Sequence, residues 1–101
     1  MQFLVLAHDG TDKDAKARRL AVRPAHFAGI QPMVECGELR AAGAILDDAG
    51  DMIGSVILAE FPTRADLDAW LAREPYVTEK VWHTVEVRPF RLAVLDGRIT
   101  P

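Results

Sequence analysis

Hydrophobic and polar residues alternate along this chain with two different periods. Residues 2–8, QFLVLAH, form a nearly unbroken apolar run closed by Asp9-Gly10, the pattern of a strand covered on both faces. From Asp12 the spacing turns helical, with Ala15, Ala17, Leu20 and Ala21 set among charges. Thr11 or Asp12 is expected to cap that helix by accepting from its free backbone donors. Pro24 disfavours helical dihedrals at Arg23, which predicts a break at Val22-Arg23 and a second helix from Pro24. Phe27, Ile30 and Val34 give that second helix one apolar stripe. Pro32 predicts a kink, because it deletes the bond to the Ala28 carbonyl. Gly37 suits a left-handed C-terminal cap.

Residues 38–46 and 52–61 read as two strands joined by the turn DDAGD, with Val56, Ile57 and Leu58 at the centre of the second. A further helix is predicted at TRAD, where Thr63 caps and Asp66 completes a capping box, and Leu67, Trp70 and Leu71 form its buried face. REPY ends it, since Pro75 biases Glu74 away from helical geometry. A last strand spans 81–90, with Val81, His83, Val85 and Val87 on one face. The tail RLAVLDGRITP is expected to add an edge strand or to cover a partner. The order β, α, β, β, α, β is the split βαβ arrangement of an α+β, ferredoxin-like fold. It has a four-stranded antiparallel sheet with both helices on one face. Apolar side chains on the other face call for a cover, and a second copy of the chain is the simplest one.

Composition narrows the function more than the fold. The chain has 101 residues, half of them hydrophobic, enough for one domain with its core at about 2–91 and a tail at 92–101. So small a domain gains from burying more surface against a copy of itself. A net charge of −3 offers no general attraction to nucleic acid or anionic lipid. The densest basic group, Lys13, Lys16, Arg18, Arg19 and Arg23, is interleaved with apolar residues and reads as a solvated helix face. Cys36 is the only cysteine; it reads as an inert, small hydrophobe and excludes an internal disulfide. The N-terminus lacks a basic leader and no run reaches membrane-spanning length. A cytoplasmic setting is therefore expected. His8 and His83 share no ligand spacing with His26, so no metal is expected, and no glycine run cradles phosphate.

The segments RRLAVRPAHFAGIQ, GELRAAGA, GSVILAEF, EPYV and VEVRPF occur in this order between residues 18 and 90. Together they resemble the YCII-related family, small relatives of the dimeric α/β-barrel proteins. The resemblance implies a ferredoxin-like fold that pairs through its sheets into a homodimer, with further association of dimers left open. It also implies a cleft lined by a histidine and an acidic residue. Relatives with assigned chemistry act on small ring compounds, including a dehydrochlorination of a chlorinated hydroquinone, without metal or organic cofactor. Carried onto this chain, the histidine is His26 and the acid is Glu74, where the family pattern has Asp before Pro. Ser55 falls on a polar position facing the cleft, Arg23 matches the RPAH pattern and is placed to hold an anionic group, and Tyr76 stands beside Glu74.

These residue types suit proton transfer. A free imidazole titrates near pH 6.5, within reach of neutrality. A carboxylate on one ring nitrogen fixes the tautomer and leaves the other nitrogen for a substrate. Ser55, with backbone N–H groups at the start of the helix at Pro24, is positioned to stabilise an enolate or phenolate oxygen. The expected function is a cofactor-free enzyme performing elimination or isomerisation on a small cyclic or carbonyl-bearing compound. The alternatives are a non-catalytic ligand-binding or assembly module and a cofactor-independent oxygenase. In the plainer reading His26 is a half-buried helix residue bonded to a carbonyl, Glu74 ends a helix, Ser55 is an ordinary strand residue, and Trp70, Trp82 and Tyr76 are core or dimer contacts.

Overall fold

The N-terminal apolar run forms β1 (Gln2–Asp9), followed by α1 (Ala15–Cys36), β2 (Leu39–Leu46), β3 (Met52–Glu60), α2 (Arg64–Leu71), the single-turn α3 (Pro75–Thr78) and β4 (Trp82–Phe90). The structure is a computed structural model that describes residues 1–100. Its strands lie in the order β2-β3-β1-β4, and all neighbours are antiparallel. Phe3, Val5 and Ala7 of β1 stand opposite Ala59, Ile57 and Ser55 of β3. They share one buried cluster with Ile30 and Met33 of α1, Leu67 and Trp70 of α2, and Tyr76 of α3. All helices therefore cover one face of the sheet, and the chain has an α+β, ferredoxin-like architecture. Leu4, Leu6, Val56 and Leu58 alternate with those core residues and point to the opposite face. No helix among the described residues is long and apolar enough to cross a membrane.

The first helix departs from the predicted break. It runs unbroken through Pro24 and Pro32 for 22 residues. Its buried positions are Ala15, Arg19, His26, Ile30 and Met33, and half-buried Val22 completes a stripe at spacings of three and four. Both prolines and the residues whose bonds they delete, Leu20 and Ala28, are exposed, on the solvent side of the helix where a lost bond costs least. Packing of the stripe outweighs the local cost of proline. The same rotation leaves Phe27 and Val34 exposed, contrary to the expected stripe, and retains only Ile30 in the core. No side chain caps the helix at Asp14; the Asp12 carboxylate instead accepts from the Asp14 N–H at 3.3 Å.

Other local signals behave as their chemistry requires. Gly37 closes α1 at φ 86°. The Thr63 hydroxyl accepts from the Asp66 N–H at 3.2 Å and donates to its carboxylate at 2.8 Å. Gly50 turns the β2–β3 hairpin at φ 88°, with Asp47 accepting from the N–H groups of Ala49 and Asp51. A register shift between His8 and Asp9 sets Trp82 opposite Asp9 and Thr84 opposite His8. That shift puts Trp82 on the helix side with Val85 and leaves His83 unpaired and exposed, against the simple alternation expected of 81–87. The tail forms its own hairpin, β5 (Val94–Leu95) with β6 (Arg98–Ile99), instead of extending the sheet. It is tied back by the Leu92 N–H, which donates to the Gln2 side chain at 2.6 Å.

Two glycines separate close approach from mere flexibility. A Cβ on Gly54 would lie 2.5 Å from the Ala7 carbonyl oxygen, whereas one on Gly29 in α1 meets nothing within 4 Å. Gly54→Ala is expected to lower the unfolding free energy by about 1–3 kcal/mol, and Gly29→Ala to raise it by about 0.8–1 kcal/mol. Urea denaturation checks both.

Candidate functional site

Two polar residues interrupt the buried stripe of α1, Arg19 and His26. They lie two turns apart, about 10 Å along the axis, on the side that meets the sheet. Each is paired with an acid from another element. His26 Nδ1 lies 2.5 Å from Glu74 Oε1, and the two residues are 6% and 1% exposed. Arg19 donates through Nη1 to both oxygens of Asp9, at 2.9 and 3.1 Å.

Glu74 is pinned from its own side as well. Pro75 holds it extended, at φ −65° and ψ 125°, and it caps α3 by accepting from the Tyr76 N–H at 3.2 Å. An ionised carboxylate only accepts, so in a pair with ionised Glu74 the hydrogen of the contact belongs to His26 Nδ1. The ring's Nε2 has no partner among the described residues, and the imidazole lines a cleft of about 230 Å³ between α1 and strands β2 and β3. Tyr76 stacks on the imidazole at 4.0 Å between centroids, and the Arg19 guanidinium lies 4.8 Å from the centre of the same phenol ring. Burial raises the Tyr76 hydroxyl above its usual range, opposed by the charges of Arg19 and Arg23. It therefore stays a neutral donor through neutral pH.

Ser55 stands where the second pair meets the sheet. Its Oγ accepts from Arg19 Nη2 at 2.8 Å and from the Trp82 indole N–H at 3.2 Å. Apolar walls come from Phe27, Ile30, Ile57 and Met52. Arg23 stands at the mouth, exposed and free of any ion pair among the described residues, with its guanidinium 4.7 Å over the Phe27 ring. No group of three or more His, Cys, Asp or Glu side chains stands together as a metal site among the described residues.

The family assignment follows from comparison. The YCII-related domain matches residues 1–91, and the protein YciI of Escherichia coli O6:H1 is 36% identical over 97 residues, 90% of this chain and 97% of that one. The chain belongs to the YCII-related family. Protein YciI of Shigella flexneri matches equally. Among solved structures, 5-chloro-2-hydroxyhydroquinone dehydrochlorinase (TftG) from Burkholderia phenoliruptrix AC1100, in complex with 2,5-dihydroxybenzoquinone, superposes with a TM-score of 0.78. It shares 21% identity, covering 90% of this chain and 94% of that one. Rv0793 from Mycobacterium tuberculosis has a TM-score of 0.53 at 20% identity, covering 93% and 100%. These likenesses carry the fold.

Four of the five residues singled out from the sequence line this cleft. Arg23, His26, Ser55 and Tyr76 line it directly, and Glu74 stands behind His26. The expected backbone donors beside His26 are not there, because the residue sits mid-helix with its N–H groups in the α1 ladder. Arg19 is buried in the site and not on a solvated face, and Trp82 is a polar contact of Ser55 as well as a core residue. Cys36 is exposed and lies outside the cleft. Asp9 and Arg19 were missed, although both carried a signal. Asp9 continues the inward alternation of Phe3, Val5 and Ala7, and Arg19 falls four residues after Ala15 and seven before His26.

Removing one member of the Asp9–Arg19 pair strands the other in the core. Arg19→Met is expected to lower the unfolding free energy by about 3–5 kcal/mol. Asp9→Leu combined with Arg19→Met should recover most of that loss. A double-mutant cycle by chemical denaturation measures both.

Proposed function

We propose that this protein is a small enzyme that uses His26 as general acid and base, oriented by Glu74, on a single-ring compound bearing hydroxyl or carbonyl groups. The observation that carries the reading is the buried 2.5 Å contact between His26 Nδ1 and Glu74, with the opposite ring nitrogen left for the cleft. In the reaction, Nε2 takes a proton from an O–H or C–H of the bound ring. The electron pair moves into the ring system and leaves with a departing anion, giving elimination, or returns at another carbon, giving isomerisation. The imidazolium then releases its proton to the leaving group, to the new position or to water. Glu74 holds the ring orientation throughout and stabilises the transient positive charge. Arg23 attracts an anionic substituent at the mouth, and Ser55 and Tyr76 supply hydrogen bonds to substrate oxygens. None of these steps calls for a cofactor.

The size of the cleft supports a single ring. A cavity of about 150 Å³ accepts benzene, and the cleft here is about 230 Å³, leaving room for a few substituents. The dehydrochlorinase with the same fold acts, by its name, on a substituted hydroquinone, which makes that class the first to test.

A panel of chlorinated hydroquinones and cyclic ketones, followed by proton NMR in D₂O, is expected to show enzyme-dependent elimination or exchange. Positioned proton transfer contributes about 10²–10⁴-fold, so His26→Ala and Glu74→Gln should each lose activity on that scale while remaining folded. A variant that keeps the full rate rules out the pair as the catalytic unit. Binding without conversion across the panel identifies a ligand-binding module instead.

The reading includes a homodimer joined through the open face of the sheet, where Leu4, Leu6 and Val56 are only half buried in the single chain. Val56→Asp should turn the dimer into a monomer by size-exclusion chromatography with light scattering. An unchanged dimer would place the interface elsewhere.

A further inference from the structure

The hydrogen-bond polarity of Ser55 is set by neighbours that cannot reverse their roles. A hydroxyl offers one donor and two acceptor sites. At Ser55 one acceptor site takes the Arg19 Nη2 hydrogen at 2.8 Å and the other the Trp82 indole hydrogen at 3.2 Å. A guanidinium and an indole N–H only donate. Arg19 is fixed in that pose because its Nη1 is committed to both oxygens of Asp9. The one capacity left to Ser55 is its own O–H, for which the described residues provide no acceptor. Ser55 is buried, yet it lines the cleft, so the acceptor has to be a ligand atom or water.

We infer that Ser55 is a donor-only hydroxyl, its polarity set by Arg19 and Trp82, and that it selects ligands presenting an acceptor oxygen over ligands presenting an aryl amine. Resting on the acid–base reading above, this assigns the substrate two poles. A carbonyl or oxyanion meets Ser55, and an acidic proton meets His26 Nε2. An aryl amine at the first pole, its lone pair delocalised into the ring, would accept the Ser55 hydrogen poorly and leave its own hydrogens without an acceptor on Ser55, a mismatch that buried sites reject strongly. Trp82 does not line the cleft, so it acts through Ser55 and is a positioning residue for specificity.

Pentafluorophenol, an oxyanion at neutral pH, and pentafluoroaniline are rings of nearly equal shape whose binding is read by fluorine NMR titration. The wild type should favour the phenolate by at least about tenfold. Trp82→Phe changes no charge but frees one acceptor site on Ser55, so it should narrow that ratio severalfold by strengthening aniline binding. Ser55→Ala should narrow it by weakening the phenolate. A purely structural role for Trp82 would lower both affinities and leave the ratio unmoved. Wild-type ratios in both variants, or no phenolate binding at millimolar concentration, overturn the inference; if one variant fails to fold, the other decides. Loss of turnover in His26→Ala with unmoved ratios discards only the Ser55 inference. Moved ratios with turnover intact in His26→Ala discard only the acid–base reading.

Discussion

The contact between His26 Nδ1 and the Glu74 carboxylate organises much of this small molecule. Both groups are buried, and each offsets part of the other's cost of burial. Meeting this requirement ties the middle of α1 to the turn that follows α2, two segments 48 residues apart in the chain. The prolines fit the same constraint. Pro75 sets the extended backbone of Glu74 and starts α3, which the Glu74 side chain caps, while Pro24 and Pro32 stay on the outer surface of α1 and leave its inner stripe intact. One carboxylate thus serves local geometry and long-range pairing together.

A second pair repeats the arrangement two turns earlier on α1. Arg19 meets Asp9 of β1 as His26 meets Glu74, and Tyr76 touches both the imidazole and the guanidinium with its ring. Polar groups on the core side of a helix weaken its hydrophobic packing. Here Arg19 and His26 both line the cleft between α1 and the sheet. The two pairs leave opposite functions exposed: a ring nitrogen with a lone pair beside Glu74, and a hydroxyl hydrogen beside Arg19. The cleft is therefore polarised by hydrogen-bond direction as well as by charge.

Legibility in the sequence followed the range of the interaction. The Gly37 cap, the Thr63–Asp66 capping box and the Asp47–Gly50 turn depend on residues within a few positions of each other, and their chemistry is readable directly. So is the succession of strands and helices along the chain, once the alternation of periods is recognised. The continuity of α1 was not, because local rules at Pro24 were outweighed by a stripe whose partners lie on distant strands. His26 and Glu74 were found through family resemblance, since nothing in their spacing joins them. Asp9, Arg19 and Trp82 were lost to the habit of assigning charges to the surface and indoles to the core. The bulge beside Asp9 also moves Trp82 to the site face, and strict alternation cannot anticipate that.

The chain belongs to the YCII-related family and shares its fold with 5-chloro-2-hydroxyhydroquinone dehydrochlorinase. The account depends on which nitrogen of His26 carries the proton when the imidazole is neutral. Long-range nitrogen–proton NMR of the ¹⁵N-labelled protein reads this directly. The account predicts a protonated Nδ1 and an unprotonated Nε2, with Glu74→Gln disturbing the Nδ1 signal. A neutral ring with its hydrogen on Nε2 would contradict it.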